Sequence, residues 1–229
     1  MRTLYTAFNV TALLHQGGNA VGVWLGNGWY SQDQYVYPSH SEPLYGPPRL
    51  LFSLVCLYSN GTNVTFSSNA STWACRQGPI TQNSVYHGED YDSRLESEGW
   101  STYNYSDRDV KWLPVDSLPA PGPLRLQMME PVGIEMCISP VSISSTLLNV
   151  AVFDFGMNTA GVLRITTTGP VGSTIIARHA EVLQPIYDNT VFTDDMIYVN
   201  NLRAAAQTDR WILNGKPNQV LMPRFTVHG

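Results

Sequence analysis

Short alternating runs of apolar residues, separated by turn residues, dominate the hydrophobic pattern of the chain. The clearest run, from Leu51 to Tyr58, leads into Asn60-Gly61, a dipeptide typical of the type I′ turn of a β-hairpin, and residues 62–66 return as the partner strand. Further strands are predicted at residues 20–25, 150–155, 163–168 and 173–177. Many short strands with frequent turns predict an all-β fold of sandwich or jelly-roll type.

Proline marks the predicted boundary between two modules. Residues 113–123 contain four prolines and a glycine, and proline cannot donate a hydrogen bond to a β-ladder. We therefore predict two β-sandwich modules, residues 1–118 and residues 119–229, of which the first is incomplete. Helix signals are short and occur at residues 11–14 and 202–206.

Charge and composition exclude several classes of partner. The chain is 43% hydrophobic and only 14% charged, with a net charge of −5 and two lysines, so nucleic acid is not an expected partner. No apolar stretch reaches the length of a membrane span, so we also expect no membrane partner. The three cysteines, Cys56, Cys75 and Cys137, are not spaced as metal ligands. A neutral or polar small molecule is the favoured ligand.

Five Asn-x-Ser/Thr sequons favour a secreted or extracellular glycoprotein, although the first residues contain no signal peptide. The sequons begin at Asn9, Asn60, Asn63, Asn69 and Asn104. This number is a mild excess over chance for such a composition. Chance occurrence on a chain that never meets the glycosylation machinery is therefore the alternative.

Motifs spread over nearly the whole chain are specific in their combined order and spacing. They are residues 5–14 (YTAFNVTALL), 25–30 (LGNGWY), 86–94 (YHGEDYDSR), 153–161 (FDFGMNTAG), 178–183 (RHAEVL) and 223–229 (PRFTVHG). This set resembles the N-terminal modules of the bacterial-type α-L-rhamnosidase family. The chain departs from the family at Asn27, where Asp is common, and at Met157, where Gln is common.

The resemblance implies an expected architecture and activity. The family pattern begins before Met1 and continues beyond Gly229 into a large (α/α) barrel that holds the catalytic acid and base. The chain would then be a fragment, with an incomplete carbohydrate-binding-like sandwich followed by a concanavalin-like sandwich, and would contain no catalytic residue. The full-length glycoside hydrolase, expected to invert, would release terminal α-L-rhamnose. Its partners would be rhamnose-containing glycans and the barrel of the same enzyme.

Two segments combine the residue types that bind sugars, aromatic rings for stacking and planar polar groups for hydroxyls. The first contains Asn27, Trp29 and Tyr30, and the second contains Glu89, Tyr91, Asp92 and Arg94. The alternative is structural, with both aromatic residues of the first segment packed in the sandwich and the arginine paired with a carboxylate of its own segment.

No cofactor is required by this interpretation, and we predict no metal ligand within the chain. In some relatives the first module binds rhamnose with a calcium ion, at a position that matches Asn27. Calcium prefers carboxylate and carbonyl oxygens, so an amide in place of Asp weakens that expectation, and calcium stays a possibility at this turn.

Acidic residues are candidate catalytic groups of this sequence, and His179 is a candidate ligand. Glycoside hydrolysis needs two carboxyls, and the acidic clusters lie at residues 89–92 and 194–195. Solvated surface acids are the favoured interpretation. His179 could form a polar cluster with Asp209 or His228, together with Glu181 on the same face, and a structural histidine is favoured over a ligand.

Three functions remain open from the sequence. The leading hypothesis is the non-catalytic part of a rhamnosidase. The alternatives are a stand-alone sugar-binding module and a structural β module without a ligand.

Overall fold

The computed structural model confirms the all-β fold. It describes residues 3–31, 45–106, 111–119, 122–145, 150–183, 197–203, 205–226 and 228. The acidic pair at residues 194–195 lies outside the described residues. In the part of the chain that is described, no helix is both long and apolar enough to span a membrane.

Short strands account for most of the regular structure. They are β1 (Thr3–Tyr5), β2 (Ser53–Leu57), β3 (Asn63–Ser67), β4 (Ala74–Cys75), β5 (Ile80–Ser84), β6 (Gly88–Asp92), β7 (Leu113–Pro114), β8 (Leu124–Leu126), β9 (Ser142–Ser145), β10 (Ala151–Asp154), β11 (Ile165–Thr167), β12 (Thr174–Arg178), β13 (Thr208–Ile212) and β14 (Gln219–Leu221). Among the residues that the structure describes, single-turn 3₁₀ helices cover Thr11–Leu13, Ser93–Leu95 and Asn200–Leu202.

The chain divides into two compact units, and each is made of several separate stretches of sequence. The first unit comprises Met1–Leu25, Arg49–Gln77 and Ser97–Gly133, and the second comprises Gly26–Pro48, Gly78–Glu96 and Ile134–Gly229. The module boundary at residues 118 and 119 stays a prediction.

Two-stranded sheets build the described part of the first unit. Strands β1 and β8 pair in parallel, whereas β2–β3 and β4–β7 are antiparallel. The predicted β2–β3 hairpin is confirmed. Its turn is not of type I′, because that turn needs positive φ at both central residues and, of Asn60 and Gly61, only Gly61 has one, at 84°. No described residue of the first unit is fully buried.

A four-stranded sheet in the order β12-β13-β6-β5 organises the second unit. Strands β13 and β6 run parallel, and Trp211 lies opposite Tyr91 in their register. Both are buried, at 1% and 4% exposure, together with Leu213 and Leu221. Alternation along β13 places Asp209, Trp211 and Leu213 on one inward face, which is the usual pattern of a strand with one solvated side.

The predicted strands at residues 150–155, 163–168 and 173–177 correspond to β10, β11 and β12. Residues 20–25 are not a strand, so that prediction was wrong. A β-prone run becomes a strand only where a neighbouring strand completes its ladder. Here Trp24 instead stacks on Trp100, with ring centroids 6.0 Å apart.

The helix signals correspond only to single turns. At residues 11–14 the helix covers Thr11–Leu13, and the N–H of Thr11 donates to Asn9 Oδ1 at 3.1 Å. Near residues 202–206 the described helix covers Asn200–Leu202. Of the helix predicted over residues 202–206, Leu202 is the single helical position among the described residues, so that prediction was wrong in its span.

Two glycines allow a matched test of the fold. Gly88 and Gly61 both have left-handed φ, but a Cβ at Gly88 would lie 2.0 Å from the carbonyl oxygen of Thr208, whereas a Cβ at Gly61 meets nothing within 4 Å. We expect Gly61→Ala to cost about 1–2 kcal/mol through backbone strain alone. Gly88→Ala should cost about 1–3 kcal/mol more, because β13 must move away. Urea unfolding of both variants measures the difference, and equal losses would contradict the close approach of β6 to β13.

Candidate functional site

A cluster of buried polar side chains lies at one end of the four-stranded sheet. Asp209 begins the inward face of β13, and the N–H of Glu89 on β6 donates to its Oδ1 at 2.9 Å. His179 follows the last residue of β12. His228 is fixed by an isolated bridge to Gly161, in which the two residues exchange both backbone hydrogen bonds.

The carboxylate of Asp209 is the centre of this cluster. Its Oδ2 lies 3.0 Å from His179 Nε2, and its Oδ1 lies 3.4 Å from His228 Nε2. The hydroxyl of Thr226 also donates to Oδ1 at 3.4 Å. Asp209 is 0% exposed. Burial alone would raise its pKa, but the hydrogen bonds and charges of the two histidines hold that pKa well below its ordinary value.

The two imidazoles and the carboxylate form a donor set that zinc and iron sites use, which makes the cluster a candidate metal centre. An imidazole holds a metal close to its own ring plane, at about 2.0–2.1 Å. The rings of His179 and His228 are stacked, with centroids 4.3 Å apart and planes 21° apart. One ion cannot lie in both of these separated planes. The arrangement is therefore a carboxylate held by two stacked imidazoles and does not fit a metal ion.

The polar cluster expected around His179 is confirmed in its main members, Asp209 and His228. Glu181, which was expected on the same face, is not part of the group. Asp209 was the least evident member from sequence alone. Its burial could have been predicted from the alternation of β13, which places Asp209 on the same inward face as Trp211.

Glu89 is a structural residue in this arrangement. It is 0% exposed, and its Oε2 accepts the backbone N–H groups of Arg224 at 3.0 Å and Phe225 at 3.3 Å. Its Oε1 is buried without a hydrogen-bond partner among the described residues. Burial raises the pKa of Glu89, and the two N–H groups only partly oppose that rise. Because its folded pKa is raised, Glu89 lowers the free energy of unfolding as pH rises from its unfolded pKa to the higher folded pKa.

Tyr91 and Arg224 form a second contact that the sequence did not reveal. The Arg224 guanidinium lies over the Tyr91 ring, 4.9 Å from its centroid, which is cation–π geometry. The Tyr91 hydroxyl donates to Glu96. Burial, and then this hydrogen bond, raise the pKa of Tyr91. Since Tyr91 is 4% exposed, its ring has no free face for a sugar.

Asp92 and Arg94 form the ion pair that the structural alternative predicted. Arg94 Nε and Nη2 donate to the two carboxylate oxygens of Asp92 at 2.9 and 2.7 Å, and the backbone N–H of Arg94 donates at 3.0 Å. The hydrogen bond from Arg94 is the main reason that the pKa of Asp92 is lowered. The same contact caps the 3₁₀ helix Ser93–Leu95.

The aromatic turn of the first predicted segment is open to solvent. Trp29 is 63% exposed, and its ring meets Tyr86 edge-on with centroids 5.7 Å apart. Tyr30 stacks on Tyr45 at 5.7 Å and is 38% exposed. The alternative that Trp29 packs in a core therefore does not fit its exposure. Sugar binding at this turn stays a prediction.

Asn27 anchors the aromatic turn to the sheet. Its backbone N–H donates to Asn83 Oδ1 at 2.5 Å, and its Nδ2 donates to the Asn83 carbonyl at 3.1 Å. Asn83 on β5 is also the cross-strand partner of Glu89. The two predicted segments are thus joined through β5, one as an exposed turn and the other as a buried strand.

Comparison with known proteins identifies the family. Residues 1–136 match the alpha-L-rhamnosidase N-terminal domain, and residues 145–229 match the bacterial alpha-L-rhamnosidase concanavalin-like domain. An alpha-L-rhamnosidase of Streptomyces avermitilis is 34% identical over 231 residues, which is 100% of this chain and 21% of that protein. One from Formosa agariphila is 30% identical over 226 residues, which is 97% of this chain and 23% of that protein.

Solved structures agree with the sequence matches. The S. avermitilis alpha-L-rhamnosidase complexed with L-rhamnose has a TM-score of 0.76 at 34% identity, over 88% of this chain and 19% of that chain. The native enzyme from Aspergillus terreus has a TM-score of 0.76 at 34% identity, over 88% of this chain and 22% of that chain.

The fold and these matches define a pair of β-sandwich modules of a kind found in a glycosidase family. The chain belongs to the alpha-L-rhamnosidase family. It spans about a fifth of the length of the curated relatives that it matches.

Removal of the Asp209 charge tests the cluster. Asp209→Asn leaves both histidines and the Glu89 N–H without their anionic acceptor, and breaking a buried pair in this way costs roughly 3–5 kcal/mol. Asp90→Asn is the matched control, since Asp90 pairs with Arg210 at 2.9 Å on an exposed surface and should cost at most about 1 kcal/mol. Chemical unfolding at neutral pH compares the two variants.

The same variants give a pH signature. Because the folded pKa of Asp209 is lowered, its contribution is fully present above the unfolded pKa, about 3.9, and is lost as pH falls from there through the folded pKa. The stability difference between the parent chain and Asp209→Asn should therefore shrink below about pH 4. A difference that stays constant into acid would contradict the assigned role.

Proposed function

We propose that this chain is the non-catalytic N-terminal part of an enzyme that hydrolyses terminal α-L-rhamnose from glycosides or polysaccharides. One observation carries the proposal, namely that the chain matches two accessory domains of the family while its relatives are about five times longer. The catalytic acid and base would lie in the remaining length of the enzyme, and that region would be the chain's main protein partner.

The surroundings of the described carboxylates support the proposal that the catalytic acid and base lie elsewhere in the enzyme. An inverting or retaining glycosidase needs two carboxyl groups that reach the glycosidic oxygen and the anomeric carbon. Glu89 and Asp209 lie close together, but both are 0% exposed and already accept hydrogen bonds from the protein. Asp90 and Asp92 are each paired with an arginine. These groups stabilise the sheet and offer no open acid–base pair.

Carbohydrate recognition is proposed at the aromatic turn. Trp29 presents an exposed ring held on one edge by Tyr86, so a pyranose could stack on it without displacing a core residue. Tyr30 and Asn27 would contribute the remaining contacts. Glu89, Tyr91, Asp92 and Arg94, which were predicted with them, would act by supporting β5 and β6 beneath the turn. The structure of the S. avermitilis relative complexed with L-rhamnose makes rhamnose the first ligand to test.

We propose that sugar binding at the aromatic turn needs no calcium ion. Calcium takes about six to eight oxygen ligands, usually with carboxylates among them. Asn27 offers a neutral amide, and the contacts that position it are to Asn83, whose Oδ1 already accepts the Asn27 N–H. The binding proposal therefore uses no metal ion, and a chelator serves as a control.

We also propose that the protein is secreted and carries N-linked glycans. The five sequons support this, and each sequon asparagine is exposed. A stand-alone sugar-binding module is the second candidate, and the exposed aromatic turn is the observation that favours it. The two candidates differ in whether the protein also includes a catalytic region.

Absence of hydrolysis is the first test. The purified 229-residue chain should not release the aglycone from an aryl α-L-rhamnoside, because its clustered carboxylates are buried or paired. The full-length S. avermitilis relative serves as the positive control in the same assay. Turnover by the chain that disappears in Glu89→Gln would relocate the active site to β6 and overturn the proposal.

Trp29→Ala tests the aromatic turn. Loss of a stacking ring should weaken rhamnose binding roughly tenfold or more, which is about 1.4 kcal/mol. Stability should change by only about 0.5 kcal/mol, since Trp29 is 63% exposed. Phe8→Ala is the matched control, because Phe8 is an exposed aromatic residue at 77% that lies in the first unit. Titration calorimetry with and without chelator is the measurement. No heat with rhamnose for the parent chain would contradict binding.

A further inference from the structure

The sequons are confined to one of the two compact units. The sequence ranges of the first unit contain six asparagines, and all except Asn19 begin a sequon. The ranges of the second unit contain nine asparagines and no sequon. Chance placement among the asparagines of the chain would seldom separate the two units so completely. All candidate acceptor asparagines of the chain therefore lie in the first unit.

Two of these sequons are held in turns suited to modification. Asn60 Oδ1 accepts the N–H of Thr62 at 3.0 Å and its hydroxyl at 2.7 Å. Asn69 Oδ1 accepts the N–H of Ser71 at 2.9 Å and its hydroxyl at 2.6 Å. Each amide oxygen is tied to the third residue of its own sequon, as in an Asx-turn. The Asn60 nitrogen, the atom that would carry the sugar, makes no hydrogen bond within the described part of the chain.

An exposed apolar surface lies beside these sequons. In the β2–β3 register Asn63 is opposite Leu57, and Thr65 is opposite Val55, so all four side chains share one face of the hairpin. Leu57 and Val55 are 80% and 56% exposed. A hydrophilic oligosaccharide on this hairpin would cover side chains that otherwise favour aggregation.

We propose that the first unit is the glycan-bearing part of this protein. N-linked oligosaccharides are placed on the hairpin, at Asn60 or Asn63, and on Asn69 beside it. Asn60 and Asn63 are three residues apart, so a bulky glycan on one obstructs transfer to the other. The second unit, which includes the exposed ring of Trp29, stays free of carbohydrate and open to ligands. This proposal rests on the proposed secretion and adds to it the sites and their purpose.

The modification is a group transfer from a lipid-pyrophosphate-linked oligosaccharide. The asparagine amide nitrogen forms a bond to the anomeric carbon of the sugar and loses one proton. The bond between that carbon and the pyrophosphate oxygen breaks, and the lipid pyrophosphate leaves with the electron pair. No oxidant or reductant is needed.

The test uses the whole 229-residue chain behind a cleavable leader in a yeast secretory host. Enzymatic deglycosylation in heavy-oxygen water converts each occupied asparagine to labelled Asp, which peptide mass mapping then locates. We expect label at Asn69 and at Asn60 or Asn63. Val220→Thr is the control, because it creates a sequon at the exposed Asn218 of the second unit. Label at Asn218 without label at the hairpin and Asn69, or a mass equal to the bare polypeptide, overturns the proposal.

Single variants and a surface probe complete the design. Asn69→Gln should remove one glycan from the intact mass, whereas Asn19→Gln, which alters the one asparagine of the first unit outside a sequon, should remove none. Enzymatic removal of the glycans should increase binding of an apolar-surface dye, and unchanged dye binding would refute the covering role. Rhamnose titration of the same samples tests the proposed sugar binding separately. If the chain binds rhamnose but carries no glycan, the glycan proposal is overturned and the binding proposal stands.

Discussion

The second unit depends on one buried negative charge. Asp209 is 0% exposed, and its two oxygens receive the Glu89 N–H, the Thr226 hydroxyl and the Nε2 atoms of His179 and His228. These groups come from distant parts of the chain, and the bond from the Glu89 N–H alone spans 120 residues of sequence. A carboxylate removed from water is costly unless such partners surround it. Its burial therefore couples the positions of β6, β12, β13 and His228 to one another.

Glu89 is a second buried carboxyl group beside Asp209, and its pKa is shifted in the opposite direction. Its pKa is raised by burial, whereas that of Asp209 is lowered by its imidazole partners, so the two neighbouring carboxyl groups differ strongly in their ease of ionisation. In an open cleft such a pair would suggest an acid and a base. Here neither residue reaches solvent, and Glu89 receives the backbone N–H groups of Arg224 and Phe225. Accessibility, and not the difference in pKa, therefore decides between a catalytic and a structural role.

Local patterns predicted the strands better than they predicted the site. The β2–β3 hairpin followed from the glycine-containing turn between two β-prone runs, although the predicted type I′ geometry did not, since only Gly61 of the pair has positive φ. The strand predicted at residues 20–25 failed because pairing depends on distant partners that periodicity cannot reveal. The same limit applied to Glu89, which reads as an exposed acid in sequence but is buried by contacts with residues more than 130 positions away. Trp29 could be identified as a candidate binding residue from its type, but its exposure came only from the structure.

The contrast in burial between the two units has a functional consequence. In the second unit, buried charges and a small apolar core give the sheet a defined arrangement, and this fixes β5 and therefore the turn that carries Trp29. A sugar-binding ring gains affinity when its support is already ordered, because less conformational entropy is lost on binding. The described part of the first unit buries no residue fully, and many of its apolar side chains are exposed. An exposed apolar hairpin that carries the proposed glycan acceptors is compatible with a hydrophilic covering, whereas a glycan attached to the aromatic turn itself would obstruct the binding proposed for Trp29.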